Sequence, residues 1–175
     1  MLPKICVTLP AQNISNVLKT IKRLEPQAPD LIEIRFDFKK NEIEPNKIRE
    51  ITNIPLIATA RLKKEGGLWE GNERTRINLL IKAGNAGFNY IDLEASTLNL
   101  LQAASELHET GSKLIISYHE FEKTPAFKDM EEMNQNNSNS GKQKRPANPP
   151  EFKKPGQNLQ EGPQWKKSLR TLVAG

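Results

Sequence analysis

Cysteine is almost missing: Cys6 is alone among 175 residues. One thiol cannot close an internal disulfide, which excludes a disulfide-stapled scaffold and suits a reducing, cytoplasmic setting. Its place between Ile5 and Val7 reads as a core thiol, because free cysteine packs as a small hydrophobe. No run of roughly 18 apolar residues occurs, so the sequence offers no membrane-spanning helix, and no membrane partner is expected. The start, MLPKICVTLP, turns polar too early for a secretory signal. There is no His-Glu-x-x-His and no pair of cysteines, so a metal site has little support. Phosphate-cradling glycine loops are missing as well, and the "EGG" at 65–67 is too short to be one.

A length of 175 residues fits one domain and falls short of the roughly 200–250 residues of a closed α/β barrel. The net charge of +5 is unevenly spread. Residues 1–133 hold 18 Lys+Arg and 19 Asp+Glu, and residues 134–175 hold 8 and 2, so the balances are −1 and +6. The basicity belongs to the tail and says little about what the rest binds.

Five runs rich in Val, Ile, Leu and Thr recur: KICVTL (4–9), LIEIRFD (31–37), PLIATAR (55–61), YIDLE (90–94) and KLIISYH (113–119). Each is bounded by Pro, Gly, Asp or polar residues, which reads as a strand. Three-to-four spacing of apolar residues predicts helices over 13–24, 73–86 and 97–109, and Thr124-Pro125 suits the start of another. Alternating strand and helix, with no hairpin signal, argues for parallel strands with crossovers.

Two architectures compete, a doubly wound sheet and a (β/α)₈ TIM-type barrel. Polar residues near strand ends favour the barrel: Glu33 with Arg35, Arg61 with Glu65, Asp92 with Glu94, and Ser117 with His119. A barrel gathers such ends around one mouth, whereas an open sheet spreads them along an edge. Five βα units make the barrel incomplete, and the strands at its two open edges could pair with a second copy, as in a homodimer.

Each polar residue also has a plain structural reading. His119 could be a satisfied core histidine, and Glu33 with Arg35 could be a structural ion pair. His108 reads as a surface residue at a helix end. Trp69 reads as loop packing, and WEGNERTR (69–76) as a charged helix start. Together, however, two arginines, several carboxylates and one histidine suit a small anionic substrate. Arginine grips a carboxylate with two hydrogen bonds, and histidine carries protons near neutral pH.

In order along residues 4–133, PDLIEIRFD, PLIATAR with KEGG, YIDLE and IISYHEFEKTP resemble type I 3-dehydroquinate dehydratase. The resemblance implies a (β/α)₈ barrel and a place in the shikimate pathway of aromatic amino acid biosynthesis. It also implies a lyase that dehydrates 3-dehydroquinate to 3-dehydroshikimate with neither metal nor bound cofactor. It assigns His119 as the general acid/base, and Glu65 as the carboxylate that orients it. Glu33, Arg35 and Arg61 would line the substrate site, with Asp92 a weaker member of the same network. The family reaction passes through a Schiff base on a lysine at the end of the sixth strand. In that region this chain offers SGKQKRPANPP, where Lys142 and Lys144 have no strand around them.

Residues 134–175, with 11 Asn+Gln and 5 Pro, show no apolar period and read as an irregular basic tail. Three readings fit: a frameshifted coding sequence, a truncated and inactive barrel, or a basic tail that binds an acidic partner. A break inside an amphipathic helix favours the first. Nucleic acid is not an expected partner, because a basic tail without a folded platform is non-specific.

Overall fold

The computed structural model describes residues 3–39, 42–121 and 170–173. Five parallel strands follow one another in space as they do in sequence: β1 (Cys6–Pro10), β2 (Leu31–Arg35), β3 (Leu56–Thr59), β4 (Tyr90–Glu94) and β5 (Lys113–Tyr118). Sequential order without reversal excludes the doubly wound alternative, whose strand order turns back on itself. It is the order of a (β/α)₈ barrel, of which these are five strands.

Four helices lie between the strands: α1 (Ile14–Leu24), α2 (Pro45–Arg49), α3 (Glu73–Asn85) and α4 (Leu100–His108). Parallel neighbours cannot be joined by hairpins, so the chain must cross over one face. The alternation in β2 shows which face that is. Ile32 and Ile34 are fully buried, while Leu31, Glu33 and Arg35 on the other side are half-exposed. The isoleucines pack in the core with Val17 and Ile21 of α1 and Leu80 of α3. Each such side chain contributes about 1.5–3 kcal/mol on burial. Two of the helices, α1 and α3, start at side-chain caps. Asn13 accepts from the Asn16 N–H at 2.9 Å, and Asn72 from the Thr75 N–H at 2.8 Å.

The expected helices over 13–24 and 73–86 are present within two residues. The one over 97–109 begins later, at Leu100, because Asn99 takes a left-handed conformation (φ 55°). Helix α2 was not anticipated; its buried Ile48 docks a five-residue turn of helix that begins at Pro45. The helix expected to start at Thr124-Pro125 lies outside the described residues.

Two expectations need correction. Cys6 is exposed, not a core thiol. It lies on the sheet face away from the helices, and the helix side of β1 is marked by buried Leu9. The second concerns the tail, expected to be mostly irregular and to add no strand beside the fifth. Arg170–Val173 form β6, antiparallel to β5, with Ile115 opposite Val173 and Tyr118 opposite Arg170. A strand edge presents unpaired N–H and C=O groups that recruit any available extended segment, and here the tail supplies it. The remainder of the tail, 134–169 and 174–175, and the boundary near residue 133 lie outside the described residues. No helix among the described residues is long and apolar enough to cross a membrane.

Candidate active site at the carboxyl ends of the strands

Arg35 is the last residue of β2, Glu94 the last of β4, and His119 follows the last of β5. Arg61 stands two residues beyond β3 and begins the loop that carries Glu65. Parallel strands in one register therefore present all four ends on the same side.

Arg61 is the centre of the cluster and is buried. One of its Nη groups forms an ion pair with Asp92, 2.8 Å from Oδ1. The other donates to Ser117 Oγ at 2.5 Å and lies 3.4 Å from Glu94 and 4.0 Å from Glu65. Ser117 Oγ in turn donates to Asp92 Oδ1 at 2.8 Å. Despite these partners, burial pushes the Asp92 carboxyl up to about 6, and the charges of Glu94 and Glu33 add to that. Arg61 pulls the other way but is shared among three carboxylates, so it does not win.

That value has a consequence for stability. In the folded chain Asp92 holds its proton up to about pH 6, whereas its ordinary carboxyl value is 3.8. Its contribution is therefore full below pH 3.8 and is lost as pH rises through 6. Two units correspond to about 3 kcal/mol at most. Glu65, shifted downward, acts oppositely but only below its ordinary value of 4.5. Asp92→Asn mimics the protonated form. Urea denaturation should show the stability gap between wild type and Asp92→Asn shifting by about 1–3 kcal/mol, in favour of the variant, from pH 4.5 to 7. A gap that stays flat over that range counts against the protonated Asp92.

Glu65 is buried, and it faces His119. Its Oε2 lies 3.0 Å from His119 Nδ1, and its Oε1 accepts from Ser96 Oγ. Burial works to raise its pKa. Hydrogen bonds from His119 and Ser96, and the charges of His119 and Arg61, outweigh that and leave it below its ordinary value. An ionised carboxylate can only accept, so Nδ1 carries the proton and donates. That leaves Nε2 as the nitrogen able to take a proton from elsewhere.

Glu33 and Arg35 have other direct partners. Glu33 accepts from the hydroxyls of Thr8 at 2.7 Å and Thr59 at 2.8 Å, one from each neighbouring strand. Arg35 forms a two-pronged pair with Asp37 at 2.8 and 2.7 Å and packs on Phe38. Asp37 also accepts from the Leu68 N–H at 3.1 Å, which ties the end of β2 to the loop after β3. The charges of Glu33 and Asp92 both act on Arg35, so the two groups share one electrostatic neighbourhood.

Three important side chains were not singled out from sequence. Asp37 is a short polar residue in the 3-10 turn after β2, and Ser96 one in the turn after β4. Arg76 had the plain reading of a charged helix start, yet it is fully buried. Its signal was there: Arg76, Leu80 and Ala83 share one face of α3 at helical spacing, and all three are buried. His108 is exposed at the end of α4, as expected. Trp69 is buried in the loop after β3, with its ring under Lys39. Among the described residues, no group of three or more His, Cys, Asp or Glu is arranged to hold a metal ion.

Sequential parallel strands with acid, base and arginine gathered at their carboxyl ends define a barrel-type α/β protein of the kind that builds enzymatic sites there. A sequence profile of type I 3-dehydroquinase matches residues 5–143, and the chain belongs to that family. A protein of Methanocaldococcus jannaschii named 3-dehydroquinate dehydratase is 35% identical over 124 residues, which is 70% of this chain and 56% of that protein. One of Methanococcus maripaludis strain C6, with the same name, is 33% identical over 128 residues, 72% of this chain and 58% of its own. The crystal structure of 3-dehydroquinate dehydratase from Aquifex aeolicus VF5 superposes with a TM-score of 0.64 at 28% identity, over 79% of this chain and 63% of that one. The chain thus spans little more than half the length of the curated relatives it matches.

Proposed function

We propose that these residues form the substrate-binding and acid–base part of a 3-dehydroquinate dehydratase site in the shikimate pathway. The observation that carries this reading is the Glu65–His119 pair, 3.0 Å apart beside buried Arg61. Glu65 holds the imidazole with Nδ1–H toward itself. Nε2 is then the base that takes the C2 proton of the substrate and, once protonated, the acid that helps the hydroxyl leave as water. Glu33 would accept from a substrate hydroxyl. Arg35, with one edge of its fork spent on Asp37, would offer the other to the substrate carboxylate.

We further propose that turnover by this chain is low. The family chemistry needs a lysine amine beside the fifth strand. The segment that pairs there is Arg170-Thr-Leu-Val173, which contains no lysine and runs in the opposite direction.

Binding can be tested apart from turnover. Titrating the full chain with 3-dehydroquinate should shift the His119 ring resonances in NMR. Arg35→Gln should weaken that binding about 10–100-fold, the range for a lost hydrogen bond to a charged group. Unmoved His119 signals at saturating ligand would remove the reading.

A further inference from the structure

We propose that Arg76, on α3 and outside the site, is a positioning residue that sets the backbone and guanidinium of Arg61. The idea rests on the site reading above only for its effect on ligand binding.

Strand β3 ends at Thr59, whose ladder partner is Asp92. Beyond it the ladder stops, and the carbonyl of Arg61 accepts from the Trp69 N–H of the following loop at 3.1 Å. Arg76 and Glu94 take over from the ladder. An Nη of Arg76 donates to the carbonyl of Ala60 at 3.3 Å, on one side of Arg61. Glu94 Oε1 accepts from the N–H of Leu62 at 3.0 Å, on the other side. The same Nη of Arg76 donates to Glu94 Oε2 at 2.5 Å, which joins the two halves of the bracket.

Arg76 cannot drift, because its remaining donors are spent. Its Nε and other Nη donate to the two oxygens of Glu73 at 2.9 and 2.7 Å, and that Nη also donates to Thr97 at 3.0 Å. Glu73 opens α3, where a carboxylate is favoured by the helix dipole. The Arg76 side chain is fully buried, and so is that of Glu94 apart from 1% of its surface. Water therefore does not compete for these bonds.

Arg76 also sets how Glu94 divides itself. With one oxygen committed to Arg76, Glu94 meets Arg61 only at 3.4 Å. Arg61 is then free to put its forks on Asp92 and Ser117, on the side of Glu65 and His119. Without Arg76, Glu94 would be the nearest unpaired anion and would draw the Arg61 guanidinium toward itself, away from the mouth. A lysine at 76 could not replace it, since one ammonium cannot span Ala60, Glu94, Glu73 and Thr97 together.

The test reads Arg61 directly, so it does not depend on substrate. In the wild-type full chain, the guanidinium of Arg61 should show slow rotation and slow hydrogen exchange in side-chain nitrogen NMR. Arg76→Met removes the bracket's hub. Glu94→Gln keeps an acceptor for Leu62 but loses the charged link, and serves if Arg76→Met fails to fold. The expected result, in a variant whose amide spectrum stays dispersed, is averaged and fast-exchanging Arg61 signals. Affinity for 3-dehydroquinate should fall about 10-fold or more, because misplacement by an ångström is costly at a site. Arg76→Lys should not restore either. Slow, wild-type Arg61 signals in a folded variant would overturn the proposal. So would unfolding of both variants, which would make the pair a general core element. If wild type itself binds no 3-dehydroquinate, the functional reading falls, while the Arg61 signals still decide the role of Arg76.

Discussion

Gly67→Ala is expected to destabilise the chain by about 3–5 kcal/mol. A Cβ at Gly67 would lie 2.1 Å from the carbonyl oxygen of Arg61 and 2.4 Å from its carbonyl carbon. These are backbone atoms, so no rotamer change relieves the clash. The loop would have to open, and two backbone bonds hold it closed: Gly67 N–H to Leu62 C=O at 2.9 Å and Trp69 N–H to Arg61 C=O at 3.1 Å. Overpacking costs about 1–3 kcal/mol, and each lost hydrogen bond adds about 1 kcal/mol. The neighbouring Gly66 is a useful contrast. Its φ of 78° is left-handed, and an added Cβ would meet only the ring of Phe121, which is exposed and can swing aside. Gly66→Ala should therefore cost about 1–2 kcal/mol, the strain of an L-residue in that region. Urea denaturation of both variants checks the ranking. A Gly67→Ala chain as stable as Gly66→Ala would mean that the turn between Arg61 and Glu65 is not fixed by this close approach.

The two glycines of "EGG" show where a sequence can be read and where it cannot. They signal a turn, but two different reasons for glycine look alike on the page. One is a dihedral angle and the other is the arrival of a carbonyl from six residues back. The five parallel strands were legible because they are buried runs flanked by polar punctuation. The convergence of Arg61, Glu65 and His119 was legible because strand ends in a barrel meet. Cys6 was misread because alternation assigns a residue to a face without saying whether that face is covered. Arg76 was misread because a charged residue in a helix's first turn is usually solvated, and only its share in the apolar stripe of α3 told otherwise. Strand β6 gave no signal at all. RTLV is four residues long, and its pairing with β5 spans more than fifty residues of chain.

Incubation of this chain with 3-dehydroquinate and borohydride is expected to leave its mass unchanged, while the Methanocaldococcus jannaschii relative gains one reduced adduct. An amine adds to the C3 ketone and expels water to give an iminium. The iminium draws in the electron pair left when the C2 proton departs to the histidine, and borohydride traps the linkage by reducing it. In this chain the imidazole is in place, held by Glu65 at 3.0 Å. The amine must come within about 3–3.5 Å of the carbonyl carbon, and among the described residues β6, the strand beside β5, is Arg-Thr-Leu-Val and carries none. Acid–base help alone is worth about 10²–10⁴-fold, whereas even modest enzymes reach about 10⁶-fold. Residual turnover should therefore lie about 10²-fold or more below that of the relative. Restoring the alternative reading frame after Met133 should bring back both the adduct and the turnover if a frameshift produced the tail. A stoichiometric adduct on this chain, mapped to Lys142, Lys144 or another lysine and accompanied by dehydratase turnover, would show instead that the tail carries a working amine to His119.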